Sequence, residues 1–360
     1  MIEEDRDQVG QKTWNIAIIG SGNIAQIHAE AIGKLLNVKL FGIYGRTLRT
    51  AQVLAAKYQC RAYDSLDDLL AEKDLDIVTI ATPSGTHLEY CVKVAAAKKH
   101  VICEKPVEIS AERILRVMNA CQQNEVRFSG IYNRRFNSAV TVLKRSVDEG
   151  RFGQLVLCSA YIRWHRTQAY YDSADWRGTI ALDGGGAMMN QGIHTLDLLQ
   201  YLAGPVKRLS ATMACLTHEN IEVEDTIVAI LEYENGARGT VEASTSCWST
   251  DGHAAEIHLY GSGGSAILAD DHIKLWDFKQ KQKIDKQMAS IMLETRGGSG
   301  AKDPKAIDAE GHRANFQNVI DALEGRDDIE ISGREAMKSV RLIEAMYHSA
   351  AHDGQWMNIK

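Results

Sequence analysis

Apolar runs and amphipathic stretches alternate along the first third of the chain. The β-branched run WNIAIIG at 14–20 is typical of a strand that is buried on both faces of a parallel sheet. An amphipathic stretch that begins GSGNIAQIHAEA follows, and the same order of strand and helix continues through VKLFGIYGR, LDIVTIATP, HVICEKP and VRFSGIYN. This alternation predicts an α/β, doubly wound parallel sheet over residues 14–134.

Closely spaced strand patterns replace this alternation from about Phe152. They run through GQLVLCSAYIRWH, VKRLSATMACL, EDTIVAILEYENGARGTVEAST and AAEIHLYGSGGSAILADDHIKLW, in which ENGARG and GSGGS are turn signals. The pattern predicts a second, α+β domain over 135–360 with a large, mostly antiparallel open sheet. The segment Gly184–Leu202 is predicted to be a helix on one face of that sheet, which leaves the other face for a subunit interface.

Three further segments complete this outline. Residues 1–13 are polar and acidic, without the pattern of a signal peptide, and are predicted to be a frayed leader. Residues 279–306 are polar and weakly patterned, which favours a surface loop or lid. Two helical patterns close the chain, HRANFQNVIDALEG and REAMKSVRLIEAMYHSAAHDG, and their helices can pack back on the first domain.

A glycine pattern at the first strand-to-helix turn indicates a dinucleotide site. Gly20, Gly22 and Ala25 form G-x-G-x-x-A directly after the strand pattern. In such a turn the first glycine permits the tight bend, the second lets the backbone approach a pyrophosphate, and the small third residue lets helix and strand pack. The start of the helix, at Asn23 and Ile24, then offers free N–H groups to the phosphates.

Polar residues follow the other predicted strands of this sheet. Ligands of doubly wound sheets bind at the carboxyl ends of the strands, where these residues fall, and we therefore predict a cofactor crevice. Besides the glycine turn, the crevice is expected to contain Arg46, Thr47, Thr82, Pro83, His87, Glu104, Lys105 and Asn133.

Lys105 allows two interpretations. It follows a buried strand, and Pro106 keeps it out of the helical conformation, so its ammonium can reach the cleft beside a nicotinamide. A plain ion pair with Glu104 on a strand-end loop is the alternative.

The end of the second strand bears on which dinucleotide is bound. Enzymes selective for NAD usually place Asp or Glu there to bind the ribose 2′-hydroxyl. Here Gly45 occupies the position and is followed by Arg46 and Thr47, which can donate to a 2′-phosphate. We therefore expect NADP to be favoured over NAD; an exposed Arg46 that only borders the crevice is the alternative.

Four polar residues interrupt the apolar segment Gly184–Leu202. Asn190, His194, Asp197 and Tyr201 are spaced four, three and four apart, which places them on one face of a helix. This stripe is either a hydrogen-bonded seam in the core or the lining of a pocket.

Composition excludes several classes of protein. The net charge of −6 and the lack of a basic run argue against nucleic-acid binding, and no apolar run approaches the roughly 18 residues of a membrane span. The seven cysteines form no C-x-x-C pair, which argues against a zinc or dithiol site and favours the cytoplasm. No metal site is predicted.

Together these features resemble the Gfo/Idh/MocA oxidoreductases, the family of glucose–fructose oxidoreductase and inositol dehydrogenase. The matching motifs cover nearly the whole chain in order: GSGNIAQIHA, ATPSGTHLEY, HVICEKP, YNRRF, WRGTIALDGGGAMMNQGIHTLDLL and GREAMKSVRLIEAMYHSA. The resemblance implies an N-terminal Rossmann domain and hydride transfer between NAD or NADP and a sugar, polyol or sugar nucleotide. It also implies a homodimer or homotetramer formed through the open sheet.

The resemblance further implies roles for particular residues. Lys105 matches the lysine of the family's EKP motif beside the reacting hydroxyl, and His194 matches the histidine of its D-x-G-x-H motif. Asn190 stands where many members carry Asp; its amide cannot titrate, so we expect it to position the substrate. Asp197 either orients the His194 ring or belongs to a structural seam.

The expected chemistry follows from these assignments. His194, whose ordinary pKa is about 6.5, is the natural base for the hydroxyl proton, and Lys105 would stabilise the developing alkoxide. Two other functions stay open: a non-redox glycosidase that uses NAD transiently, and a dinucleotide sensor without catalysis. Stacking on the sugar or gripping an anionic group is expected from Tyr171, Trp176, Arg177 and Arg135, with an interdomain core position as the alternative for Trp176.

Overall fold

The computed structural model describes residues 12–294 and 309–359. Most of the predicted leader and residues 295–306 of the predicted loop lie outside the described residues.

The N-terminal sheet is parallel throughout and confirms the predicted doubly wound fold. Its strands are β1 (Trp14–Ile19), β2 (Val38–Tyr44), β3 (Arg61–Tyr63), β4 (Ile77–Ile80), β5 (His100–Cys103) and β6 (Phe128–Gly130). Their order across the sheet is β3-β2-β1-β4-β5-β6. The order reverses between β1 and β4, which is where such sheets bind ligands. The helices are α1 (Asn23–Gly33), α2 (Leu48–Lys57), α3 (Leu66–Leu70), α4 (His87–Ala96) and α5 (Ala111–Gln123).

The second sheet is open, and its neighbouring strands are antiparallel except for one parallel pair in the middle. Its strands are β7 (Leu155–Arg163), β8 (Val206–Ala214), β9 (Thr226–Tyr233), β10 (Arg238–Ser244), β11 (Glu256–Gly261), β12 (Gly264–Ala269), β13 (His272–Phe278) and β14 (Met357–Asn358). Their order is β13-β12-β11-β7-β10-β9-β8-β14, with β7 and β10 parallel. The remaining helices are α6 (Ser138–Asp148), α7 (Gln168–Tyr171), α8 (Ile193–Ala203), α9 (Lys283–Glu294), α10 (Ala309–Leu323) and α11 (Gly333–Ala351).

Two segments differ from their predictions. Gly184–Leu202 is not one helix, because a π-helical turn at Ala187–Gly192 precedes α8. A π turn has a wider period than an α-helix, so the predicted single polar face holds only within α8. The loop predicted over 279–306 is wrong for Lys283–Glu294, which forms α9 and buries Met288 against the end of the second sheet.

The last helices connect the two halves of the molecule. Phe316 and Ile320 of α10 are buried in the same apolar cluster as Ile16 of β1 and Ala29 of α1.

Among the described helices, none combines the length and the apolar character that crossing a membrane requires.

Candidate active site

The glycine turn leaves open space above the start of α1. Gly20 has φ +125°, and a Cβ atom there would lie 2.4 Å from the carbonyl oxygen of Ala81, so a side chain does not fit. A Cβ at Gly22 would meet no described atom within 4 Å. Within the described chain no side chain caps α1, so its first N–H groups face this space. The arrangement fits a pyrophosphate.

The buried carboxylate of Glu104 supports the loop that follows β5 at the predicted crevice. Nε2 of His28 and Nε2 of His312 both donate to Oε1 of Glu104, at 2.9 and 3.0 Å. Its Oε2 accepts the backbone N–H of Lys105 at 2.8 Å. Burial alone would raise the pKa of Glu104, but the hydrogen bonds from the two imidazoles outweigh it and hold that pKa well below its usual range. Glu104 therefore anchors the strand-end loop.

The same cluster leaves one acceptor unpartnered. The ligand atoms of His28, Glu104 and His312 lie within 4.8 Å of one another, and hydrogen bonds account for this proximity. Since Nε2 of His312 donates to Glu104, its Nδ1 accepts from Nδ2 of Asn133, at 3.3 Å. Oδ1 of Asn133 is then a buried acceptor without a partner among the described residues. An amide donor, such as the carboxamide of a nicotinamide, fits this position.

His87 connects two loops that border the crevice. It is buried, with Nδ1 3.0 Å from the carbonyl oxygen of Pro106 and Nε2 2.9 Å from that of Thr82. Thr82 and Pro83 are half-buried, and the hydroxyl of Thr82 lies 2.8 Å from that of Thr86. His87 therefore holds the loops together, and Thr82 and Pro83 remain partly accessible at the predicted crevice.

Lys105 links the two halves of the site. Its Nζ donates to the backbone carbonyl oxygen of Asn190 at 2.8 Å, so the end of β5 is tied to the π-helical turn. Burial lowers the pKa of Lys105, while the negative charges of Glu104 and Asp183 oppose this shift. The carboxylates of Glu104 and Asp183 are thus near enough to Lys105 to favour its charged form.

His194 lies at the start of α8 without a hydrogen bond to any described residue. Its ring meets Tyr132 edge-on, with ring centroids 6.0 Å apart, and its Nδ1 is buried without a partner. Burial, followed by the positive charges of Lys105 and Arg134, lowers the pKa of His194 well below its usual range. The imidazole is therefore neutral near pH 7 and able to accept a proton.

Asp197 and Tyr201, the part of the polar stripe that follows His194, have a structural partner. Nε and Nη2 of Arg135 donate to the carboxylate of Asp197 at 2.8 and 2.7 Å, and the guanidinium lies 4.5 Å from the ring centroid of Tyr201. Arg135 is 6% exposed and also donates to Glu335. Asp197 makes no described hydrogen bond to His194. This geometry favours the structural alternative for Asp197, a hydrogen-bonded seam in the core. It also gives Arg135 a structural partner, so we do not assign Arg135 to the substrate pocket.

Asn190 belongs to a network that the sequence analysis missed. Its Nδ2 donates to Asp183, and its Oδ1 accepts from Nε2 of Gln191 at 2.8 Å. The same Nε2 donates to the hydroxyl of Tyr170 at 2.9 Å, and Nη2 of Arg166 donates to Oε1 of Gln191 at 2.9 Å. The only sequence signal was the position of Asp183 directly before three glycines, which is not specific.

Arg177 and Trp176 border this network, whereas Tyr171 lies behind it. Nη1 of Arg177 donates to the hydroxyl of Tyr170 at 2.6 Å, and its guanidinium lies 4.6 Å from the ring centroid of Trp176, which is half-buried. Tyr171 is 6% exposed, and its hydroxyl lies 2.9 Å from that of Thr245. Tyr170 therefore presents its hydroxyl to the site, and the sequence pair YY gave no means of choosing between the two.

A doubly wound sheet with an open glycine turn, and a lysine and a neutral histidine at its crevice, define an NAD-dependent dehydrogenase that acts on CH–OH groups. The chain belongs to the Gfo/Idh/MocA family. The model of an oxidoreductase family with an NAD-binding Rossmann fold matches residues 14–132, and the model of the GFO/IDH/MocA C-terminal domain matches residues 140–267.

Several relatives match the chain over nearly its full length. The WlbA dehydrogenase from Bordetella pertussis, solved with NADH and UDP-GlcNAcA, is 31% identical with a TM-score of 0.88, over 98% of this chain and 99% of that chain. The WlbA dehydrogenase from Chromobacterium violaceum, with the same ligands, is 30% identical with a TM-score of 0.87, over 99% of both chains. Inositol 2-dehydrogenase from Rhizobium meliloti is 25% identical over 95% of this chain and 98% of its own length.

The expectation that NADP is favoured is wrong. Both WlbA structures contain NADH, and the matching family model is NAD-binding. Arg46 is exposed, and an exposed charge contributes at most about 1 kcal/mol to an ion pair. A Cβ at Gly45 would lie 2.6 Å from Oγ of Ser21, so a side chain at this position would displace the serine hydroxyl. The missing carboxylate therefore does not signal a 2′-phosphate site.

Proposed function

We propose that the protein oxidises a secondary hydroxyl of an acidic, nucleotide-linked sugar of the UDP-GlcNAcA type, with NAD as the hydride acceptor. The hydride-transfer chemistry is that of the family, and the substrate class is the proposal. The observation that carries it is an excess of positive charge on the substrate side of the crevice, together with the ligands of the two WlbA structures.

Three arginines contribute to this charge. The guanidinium carbons of Arg166 and Arg177 lie 5.6 and 4.3 Å from the ring centroid of Tyr170. The side chain of Arg134 makes no hydrogen bond or ion pair with a described residue, and it is near enough to Lys105 to lower the pKa of that amine. Among the described residues, the carboxylates that oppose these cations at Lys105 are those of Asp183 and Glu104. Such a pocket attracts a sugar carboxylate or a diphosphate.

His194 and Lys105 have separate roles in the proposed oxidation of the hydroxyl. Neutral His194 accepts the hydroxyl proton, because burial and the neighbouring positive charges keep its ring unprotonated before the reaction. Lys105 stabilises the negative charge that develops on the substrate oxygen. NAD, when bound, supplies the acceptor for the hydride. Asn133 and the first turn of α1 would hold its carboxamide and pyrophosphate.

The open sheet is also proposed to form the contact between copies of the chain. Val228 and Ile230, on the same face of β9, are 40% and 52% exposed, whereas Ile227, Ala229 and Leu231 on the opposite face are buried. A stable monomer rarely exposes adjacent β-branched residues on a sheet of this width. A homodimer or homotetramer would cover them.

The substrate class is tested by NADH formation with UDP-GlcNAcA, using UDP-GlcNAc as the matched neutral sugar and myo-inositol as the polyol. The enzyme is used in excess, so that slow release of NADH does not hide the reaction. We expect UDP-GlcNAcA to react at least about tenfold faster than UDP-GlcNAc, which corresponds to one charge-assisted contact. Equal rates for the two sugar nucleotides, or a preference for myo-inositol, would reject the acidic-sugar proposal. With NADP in place of NAD we expect a lower kcat/KM.

A further inference from the structure

We propose that Asp183 is a positioning residue for this reaction, which fixes the side-chain amide of Asn190 and places a negative charge beside Lys105. Many family members carry Asp at the position of Asn190, and this chain would then supply the same charge from seven residues upstream. The proposal rests on the proposed roles of Lys105 and His194.

Asp183 is buried, and both of its oxygens are engaged. Asp183 is 1% exposed. Oδ2 accepts the backbone N–H of Gly178 at 2.9 Å, and Oδ1 accepts from Nδ2 of Asn190. Asn190 is also the residue whose backbone carbonyl oxygen receives Nζ of Lys105. The carboxylate therefore holds the turn to which the lysine is tied.

The network has a fixed direction, because its two ends cannot exchange roles. A carboxylate only accepts hydrogen bonds and a guanidinium only donates them. With Asp183 accepting from Nδ2 of Asn190, Oδ1 of Asn190 must face Gln191, which donates to it at 2.8 Å. Oε1 of Gln191 then faces Arg166, which donates to it through Nε and Nη2 at 3.1 and 2.9 Å. Asp183 and Arg166, one at each end, thus set the orientation of the two amides between them.

The surroundings of Asp183 make this arrangement dependent on pH. Burial raises the pKa of Asp183 to about 6, against hydrogen bonds from Gly178 and Asn190 and the positive charges of Lys105 and Arg177. The other titratable groups beside it are the hydroxyls of Tyr170 and Tyr171, and burial raises the pKa of both. Above pH 6 the carboxylate is charged and holds Asn190 through a charge-assisted hydrogen bond; below it, Asp183 is neutral, that hydrogen bond weakens and the negative charge beside Lys105 is lost.

Exchanging the two residues is a direct test. In Asp183→Asn the new amide can accept from Gly178 or from Asn190 but not from both, so the network loses a bond. In Asp183→Asn/Asn190→Asp the amide at 183 accepts from Gly178 and donates to the carboxylate at 190, which still accepts from Gln191. We expect Asp183→Asn to lower kcat with UDP-GlcNAcA at least about tenfold, with KM for NAD unchanged, and the double variant to recover to within about threefold of wild type.

The pH profile separates positioning from simple folding support. Wild-type kcat should rise as pH rises through about 6, because the ionised form of Asp183 is the active one. Asp183→Asn should lack this rise. A single variant with the kcat and pH profile of wild type, or a double variant no better than the single one, would overturn the proposal.

A measurement without substrate keeps this test independent of the proposed function. Side-chain amide resonances of ¹⁵N-labelled asparagine report the environment of Asn190, and Asn190→Asp identifies its signal. We expect this signal to shift as wild type is titrated through pH about 6, and to stay constant in Asp183→Asn. If UDP-GlcNAcA does not react but the Asn190 signal shifts with pH, the proposed substrate class is rejected. The proposed link between Asp183 and Asn190 is then still supported. A wild-type signal that does not move overturns the link, even if Asp183→Asn does not fold.

Discussion

Arg135 and Asp197 form a buried, bidentate ion pair, with 2.8 Å from Nε to Oδ2 and 2.7 Å from Nη2 to Oδ1. The side chains are 3% and 2% exposed. The pair joins α8 to the segment that follows β6, and so fixes the helix that carries His194 without touching its ring. His194, the proposed proton acceptor, lies one turn away from Asp197 on the same helix.

Removing one partner of this pair should cost stability. In Asp197→Ala the guanidinium of Arg135 loses its bidentate partner while buried, and we expect a loss of about 3–5 kcal/mol in the free energy of unfolding by urea. The matched control is Arg135→Met/Asp197→Leu, which buries no charge and should regain most of that loss. An Asp197→Ala protein with normal stability and reduced kcat would instead assign Asp197 to the orientation of His194.

Lys105→Met should separate cofactor binding from catalysis. The ammonium matters mainly when negative charge develops on the substrate oxygen, so we expect kcat to fall at least about 100-fold while NADH binding by fluorescence stays near normal. Lys93→Met, on the exposed side of α4, serves as the control. Turnover close to wild type in Lys105→Met would remove this lysine from the mechanism.

His194→Asn should be nearly inactive at neutral pH. The variant lacks the proton acceptor, and activity should return partly as pH rises and the substrate hydroxyl ionises without help. Because the pKa of His194 is lowered, protonation of the wild-type ring should reduce activity only below its ordinary value of about 6.5. A variant that keeps its kcat but melts at a lower temperature would show that the histidine is structural.

Gly22→Ala tests the pyrophosphate site directly. The added methyl group would meet no described atom within 4 Å, and Gly22 has an extended backbone with φ −89°, so stability should change by less than about 0.5 kcal/mol. The methyl group would occupy the space above α1, and we expect NADH affinity to fall at least about tenfold. Gly33→Ala, which is equally open, should bind NADH as wild type does. Unchanged affinity in Gly22→Ala would place the phosphates elsewhere.

Ile230→Asp tests the proposed subunit contact. A carboxylate in the middle of a buried interface would lack a partner, so we expect a lower mass by light scattering, with the fold kept by circular dichroism. Lys93→Met, on the exposed side of α4 in the first domain, is the control. If the mass of Ile230→Asp equals that of wild type, this face is not the contact.

The parallel sheet, the glycine turn and the second, mostly antiparallel sheet could be predicted because their causes are local. Apolar runs specify buried strands, and Gly20 has a backbone angle that side chains disfavour. Elements without enough residues for a period escaped prediction, as β3 with three residues and α3 with five show. The cofactor prediction failed because the absence of a carboxylate at Gly45 and an exposed Arg46 do not by themselves form a 2′-phosphate site.

The sequence by itself determined the fold class and the presence of a lysine and a histidine suited to hydride transfer. Only the tertiary structure decided which polar residues share a site. Asp197 finds its partner 62 residues away in Arg135, and Lys105 reaches Asn190 across 85 residues. A helical period places residues on one face but cannot say what packs against that face. The π-helical turn then divided the stripe, because it changed the period between Asn190 and the residues of α8.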